Sequence, residues 1–119
     1  MKLQFLPLLL GAAVACARVP QPAPVTPFRL AATLAAAGRC DSATVAARTA
    51  LENEPDNVLG PLVIGGCQEQ AGRYDEAVAT YNDFAARHPN ARGVAAVRAK
   101  AQLALRAAAE ADCAAGAGA

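Results

Sequence analysis

The cysteines are the residues of this sequence that could take part in the widest range of chemistry. The thiols of Cys16, Cys40, Cys67 and Cys113 could form disulfides, carry a covalent modification or ligate a metal. A zinc site needs closely spaced cysteines or a second histidine, and the chain has one histidine, His88. The pattern therefore predicts no metal and no other cofactor, and it favours modification or cross-linking of the thiols.

Acid–base and nucleophilic catalysis find no support in the other polar residues. His88 directly precedes Pro89 at a predicted helix end, where a cation suits the helix dipole, and no partner acid lies nearby in sequence. Asp75 and Glu76 are explained as a helix cap and a first-turn charge. The sequence predicts that the protein is not an enzyme. Its net charge of +1 also argues against a nucleic-acid partner.

Residues 1–15 have the features of an export signal. Lys2 supplies a positive charge, and an apolar run of about ten residues follows, too short to span a membrane. The run ends in Ala13-Val14-Ala15-Cys16, which resembles the lipobox of bacterial lipoproteins. The resemblance implies cleavage between Ala15 and Cys16 and a covalent lipid on the Cys16 sulfur, with acyl chains such as palmitate. The alternative is an ordinary secretory signal with an incidental cysteine.

The lipoprotein resemblance also implies a location. Two or more acyl chains hold a protein stably on a bilayer. Ala17 rather than aspartate follows the cysteine, which favours the bacterial outer membrane, facing the periplasm. The inner membrane and a soluble periplasmic form are the alternatives. Residues 16–26 contain three alternating prolines and are predicted to form an extended tether that reaches on the order of 30 Å.

A repeat of 34 residues organises the remaining chain, whose abundant alanine favours helix. Residues 24–57 match residues 58–91 at Pro27/Pro61, Ala37/Ala71, Gly38/Gly72, Arg39/Arg73, Asp41/Asp75, Ala43/Ala77 and Pro55/Pro89. The prolines and glycines carry most weight because each fixes a helix boundary. Thr26 is predicted to cap the first helix and Asp41 the second, and Asp75 repeats the role of Asp41.

The second copy resembles the tetratricopeptide repeat (TPR) in its sequence Gly72-Arg73-Tyr74-Asp75-Glu76-Ala77, followed by Tyr81 and Pro89. The resemblance implies that Gly72 permits a tight turn, that Tyr74 fills the space between helices and that Ala77 lets their backbones approach. The first copy is degenerate, because Cys40 and Ala47 replace the two aromatics. It keeps Gly38, Asp41, Ala43 and Pro55. A helical hairpin without repeats is the alternative.

The predicted fold is all-α, a short right-handed solenoid of two helix–turn–helix repeats at residues 27–57 and 58–91. A capping helix at 92–112 follows, with an apolar side that would cover the last repeat. The alanine- and glycine-rich residues 113–119 are predicted to be disordered.

Stacking of such repeats would place Cys40, in the first turn, beside Cys67, near the end of a helix in the second repeat. A Cys40–Cys67 disulfide is therefore predicted, because bonds of this kind persist outside the inner membrane. Free thiols are the alternative. Cys113 is expected to be free or to pair between chains.

In TPR proteins, the first helices of successive repeats line a groove that holds a peptide or a partner's helix. The resemblance places in this groove Phe28, Leu62, Glu69, Gln70, Lys100 and Leu103, together with several alanines. Such a groove is shallow and apolar. The alternative is that these alanines only pack a small domain. The first functional hypothesis is an adaptor for another envelope protein or peptide, in envelope, pilus or secretin assembly. The second is a self-associating, dimeric lipoprotein, because two repeats fall below the usual three.

Overall fold

The computed structural model describes residues 20–21 and 24–117. The predicted signal, the lipidated Cys16 and most of the tether therefore lie outside the described residues. Over the described part, the chain forms five helices and no strand. These are α1 (Pro27–Ala36), α2 (Cys40–Asn53), α3 (Leu59–Gln70), α4 (Tyr74–Arg87) and α5 (Val94–Ala117). The predicted all-α architecture is confirmed. No helix among them is long and apolar enough to cross a membrane.

Glycines and a threonine set several of the helix boundaries. The Thr26 hydroxyl accepts a hydrogen bond from the Arg29 backbone N–H at 3.2 Å, which caps the start of α1. Gly38 and Gly72 have φ angles of +79° and +76°, in the left-handed region that glycine adopts without strain. Each glycine closes one helix and lets the next begin within a few residues, so that α1 pairs with α2 and α3 with α4.

Asp41 and Asp75 are not the helix caps that the sequence predicted. The cap positions of α2 and α4 are Arg39 and Arg73, neither of which makes a side-chain capping bond. The two helices begin two residues earlier than predicted, which puts both aspartates inside the first helical turn. There their negative charges interact favourably with the positive end of the helix dipole, instead of accepting a capping hydrogen bond from a backbone N–H.

The last helix differs from the prediction at both ends. It begins at Val94, after Gly93 with a φ of +85°, and continues to Ala117. Residues 113–117, predicted to be disordered, are therefore helical, as expected from the strong helix preference of alanine. The segment from Ala109 to Gly116 is exposed throughout, so this end of α5 extends beyond the packed part of the domain.

Two clusters of buried side chains hold the helices together. One joins α1, α2 and α3 around Ala31, Ala43 and Ala47, and the other joins α4 and α5 around Tyr81 and Val97. Tyr81 and Val97 are the largest fully buried side chains of the described residues. Because most of the other contacts involve alanine, the helix backbones pack closely, and a few large side chains fill the space that remains.

One of these close approaches is between α3 and α4. A Cβ atom built on Gly65 would overlap the ring of Tyr81, whereas one built on the adjacent Gly66 would meet no described atom within 4 Å. Gly65 therefore makes room for the aromatic ring. This space lets a fully buried tyrosine fit between two helices of the same repeat.

Candidate functional site

The odd-numbered helices form one continuous layer, which we call the inner face. α3 packs against both α1 and α5, whereas the Cα atoms of α2 and α4, both described in full, stay more than 8 Å apart. Close spacing in one layer and wide spacing in the other curves the stack of helices. The curvature makes the layer of α1, α3 and α5 the concave side.

Glu69 lies at the centre of the inner face and connects three helices. Its Oε2 atom is 2.9 Å from the Lys100 Nζ atom of α5 and accepts a hydrogen bond from the Tyr81 hydroxyl of α4 at 2.7 Å. Burial, then the hydrogen bond to Glu69 and its negative charge, raise the pKa of Tyr81 well above its usual range. The hydroxyl is therefore a lasting donor that keeps the Glu69 carboxylate in place.

The structure places the six predicted groove residues in different environments. Gln70 and Leu103 are exposed, Leu62 is half-buried against the core, and Glu69 and Lys100 are paired with each other. Phe28 is only 3% exposed, so its predicted role in the groove is wrong. In a domain with so few large side chains, the stability gained by burying an aromatic ring favours a position in the core over one on a binding surface.

The cysteines link the two repeats covalently. Cys40, at the start of α2, is joined to Cys67 of α3 by a disulfide, with 5.4 Å between the Cα atoms. This is the pairing that the sequence predicts. Cys113 is a free, exposed thiol on the projecting end of α5. In the described part of the chain, no three potential metal-ligating side chains come together.

Sequence reasoning missed the polar contacts between α3 and α4. Besides Tyr81 and Glu69, the Thr80 hydroxyl donates to the Gln68 side-chain oxygen at 2.7 Å. The one available signal was that the aromatic residue at position 81 is a tyrosine and not a phenylalanine, because a buried hydroxyl needs a hydrogen-bond partner. The sequence did not indicate which residue would be that partner.

Comparison with known proteins identifies the repeat. The family model described as tetratricopeptide repeat matches residues 34–109, which is more than half of the chain. No curated protein and no solved structure matches the chain. Tetratricopeptide repeats generally mediate protein–protein interaction and are typically not catalytic. The two helical pairs, the left-handed glycines between their helices and this match together show that the chain belongs to the tetratricopeptide repeat family.

Proposed function

We propose that this protein is a lipid-anchored adaptor of the bacterial outer membrane whose inner face binds an apolar segment of another envelope protein. The observation that carries the proposal is the Glu69–Lys100 ion pair. It neutralises the two charges at the centre of the inner face, next to leucines that remain accessible.

The charge balance of the inner face favours an apolar occupant. A charged segment would have to compete with an ion pair that is already formed and partly withdrawn from water. An apolar segment would instead cover Leu103, which is 54% exposed, together with the half-buried Leu62. Burying a leucine side chain contributes about 2 kcal/mol, enough for one such residue to dominate a small interface.

Two features support the proposed location. Residues 13–16 resemble a lipobox and precede the proline-rich tether, an arrangement suited to holding a domain clear of lipid headgroups. The Cys40–Cys67 disulfide suits an oxidising compartment such as the periplasm. From such an anchor, the inner face would meet partners of envelope, pilus or secretin assembly.

The lipid anchor is tested by the intact mass of protein solubilised from bacterial envelopes with detergent. We expect a chain that begins at Cys16 and carries acyl mass, and a Cys16→Ser variant without it. Alkylation should label Cys113 directly, and Cys40 and Cys67 only after reduction, because only the last two share a disulfide. A cleaved, unacylated chain would contradict the anchor.

The inner face is tested by a matched pair of leucine variants on α5. Leu103 and Leu105 are 54% and 51% exposed, and at 100° per residue they project about 200° apart around the helix. Leu103 shares the side of Lys100, whereas Leu105 does not. We expect Leu103→Glu to reduce recovery of a cross-linked partner from intact envelopes about tenfold, and Leu105→Glu to leave it unchanged.

The cross-linked product also distinguishes the two functional hypotheses. A partner identified by mass spectrometry as a different envelope protein supports the adaptor. A product of twice the mass of the chain, lost in Leu103→Glu, would replace the adaptor with the self-associating lipoprotein. Equal effects of the two variants would mean that the inner face is not the binding surface.

A further inference from the structure

The convex side of the domain carries a cleft between the two repeats. It has a volume of about 520 Å³ and lies between α2 and α4, with α3 as its floor. The cleft exists because the Cα atoms of α2 and α4 stay more than 8 Å apart while both helices pack on α3. We call it the outer cleft and define it by Arg48, Leu51, Ile64, Gln68, Phe84 and Arg87.

The floor of the outer cleft is apolar. Leu51 of α2, Ile64 of α3 and Phe84 of α4 converge there, so each of the three helices contributes one large side chain. Leu51 is half-buried, and Ile64 and Phe84 keep 8% and 7% of their surface exposed. The Phe84 ring lies against the His88 ring, with 5.0 Å between their centroids and 43° between their planes, so His88 lines the cleft at the end of α4. Such a floor suits one apolar side chain of a bound segment.

The rim of the outer cleft is basic. Arg48 and Arg87 are exposed on opposite walls, and neither belongs to the ion pairs of the described residues, which are Arg73–Glu76 and Lys100–Glu69. Asp83 is the one acidic residue of the lining, so two guanidinium groups face a single carboxylate. Arginine binds carboxylates through paired hydrogen bonds, and this rim is therefore complementary to an acidic group.

Gln68 adds a positioned hydrogen-bond donor between floor and rim. Its side-chain oxygen accepts from the Thr80 hydroxyl at 2.7 Å, which fixes the amide group across α3 and α4. The amide nitrogen is left to donate to a carbonyl oxygen of an occupant. A peptide backbone supplies such an acceptor at every residue, whereas a purely apolar ligand supplies none.

We propose that the outer cleft is a second peptide-binding site, which takes a protein segment with an acidic side chain next to an apolar one. The apolar side chain packs on Leu51, Ile64 and Phe84, and the carboxylate lies between Arg48 and Arg87. The inner face has a different preference because Glu69 already neutralises Lys100. One small domain thus binds two segments of different chemistry on opposite sides, and the outer cleft acts whether or not the inner face has a partner.

Selection from a random dodecapeptide display library tests this proposal, with the full-length protein in detergent micelles as the bait. We expect the selected peptides to share an aspartate or glutamate beside a leucine, isoleucine or phenylalanine. A synthetic peptide of the selected sequence should bind the Arg48→Glu/Arg87→Glu variant about tenfold more weakly, because reversed charges would repel its carboxylate.

Two control variants separate the outer cleft from general charge and from the inner face. Arg29→Glu/Arg106→Glu changes the net charge equally at exposed arginines outside the cleft, and Leu103→Glu alters only the inner face. Both should bind the selected peptide as the unmodified protein does. The proposal would be overturned if no peptides were selected or if the selected peptides lacked an acidic residue. It would also be overturned if the two double arginine variants lost affinity for the peptide equally. If only Leu103→Glu bound the peptide more weakly, the peptide would belong to the inner face, and the proposal would be overturned as well.

Discussion

Adding a methyl group at Gly65 will destabilise this domain, whereas adding one at Gly66 will stabilise it. At Gly65 the new Cβ atom would overlap the Tyr81 ring, which is fully buried and held by its hydroxyl on Glu69. Overpacking of this kind costs about 2 to 3 kcal/mol. At Gly66 the Cβ atom meets no described neighbour within 4 Å. The substitution should therefore add the stability that alanine gains over glycine inside a helix, about 1 kcal/mol.

Urea denaturation followed by circular dichroism measures both variants. Gly65→Ala and Gly66→Ala have the same composition and lie in the same helix, so their difference reports the contact with Tyr81. We expect their free energies of unfolding to differ by about 2 to 3 kcal/mol, because both substitutions share the helix gain and only Gly65→Ala creates the overlap. Stabilisation by both substitutions would show that α3 and α4 do not approach each other closely at this point.

Reducing the Cys40–Cys67 disulfide will lower the stability of the domain by about 3 kcal/mol. The bond joins residues 27 apart in sequence, and closing a loop of that length restricts the unfolded chain. The loss is a substantial fraction of the roughly 5 to 15 kcal/mol by which small domains are stable. It should appear as a lower melting temperature in dithiothreitol.

Cysteine variants assign that loss to the bond itself. Cys40→Ala/Cys67→Ala should melt at the lower temperature with or without dithiothreitol. Cys113→Ser, which changes an exposed free thiol, should behave as the unmodified protein does in both conditions. If dithiothreitol leaves the melting temperature of the unmodified protein unchanged, the disulfide does not stabilise the fold.

The helical order of this chain was predictable because boundary residues determine it locally. Gly38 and Gly72 end helices through their own backbone conformation, which no distant contact needs to establish. The predicted caps Asp41 and Asp75 lie two positions after the observed caps, because a shift of two residues in a tight turn leaves the sequence pattern unchanged. Prediction of helix existence therefore succeeded where prediction of the exact cap did not.

The binding surfaces were less predictable because they depend on how helices from different repeats meet. Phe28 lies in a helix of ten residues, whose sequence does not determine which of its sides the next repeat will cover. The role of Glu69 depends on Tyr81 and Lys100, which approach it from two other helices. The outer cleft arises from the separation of α2 and α4, a property of the stack that no single segment encodes.

The disulfide also determines how the domain responds to a pulling force. A load applied between the tether and α5 enters the first repeat, crosses from α2 to α3 through the Cys40–Cys67 bond, and bypasses the chain between them. Those residues cannot extend even if their helices unravel, which withholds about 90 Å of contour length. In the oxidised protein, mechanical extension is therefore confined to the segments outside the bridge.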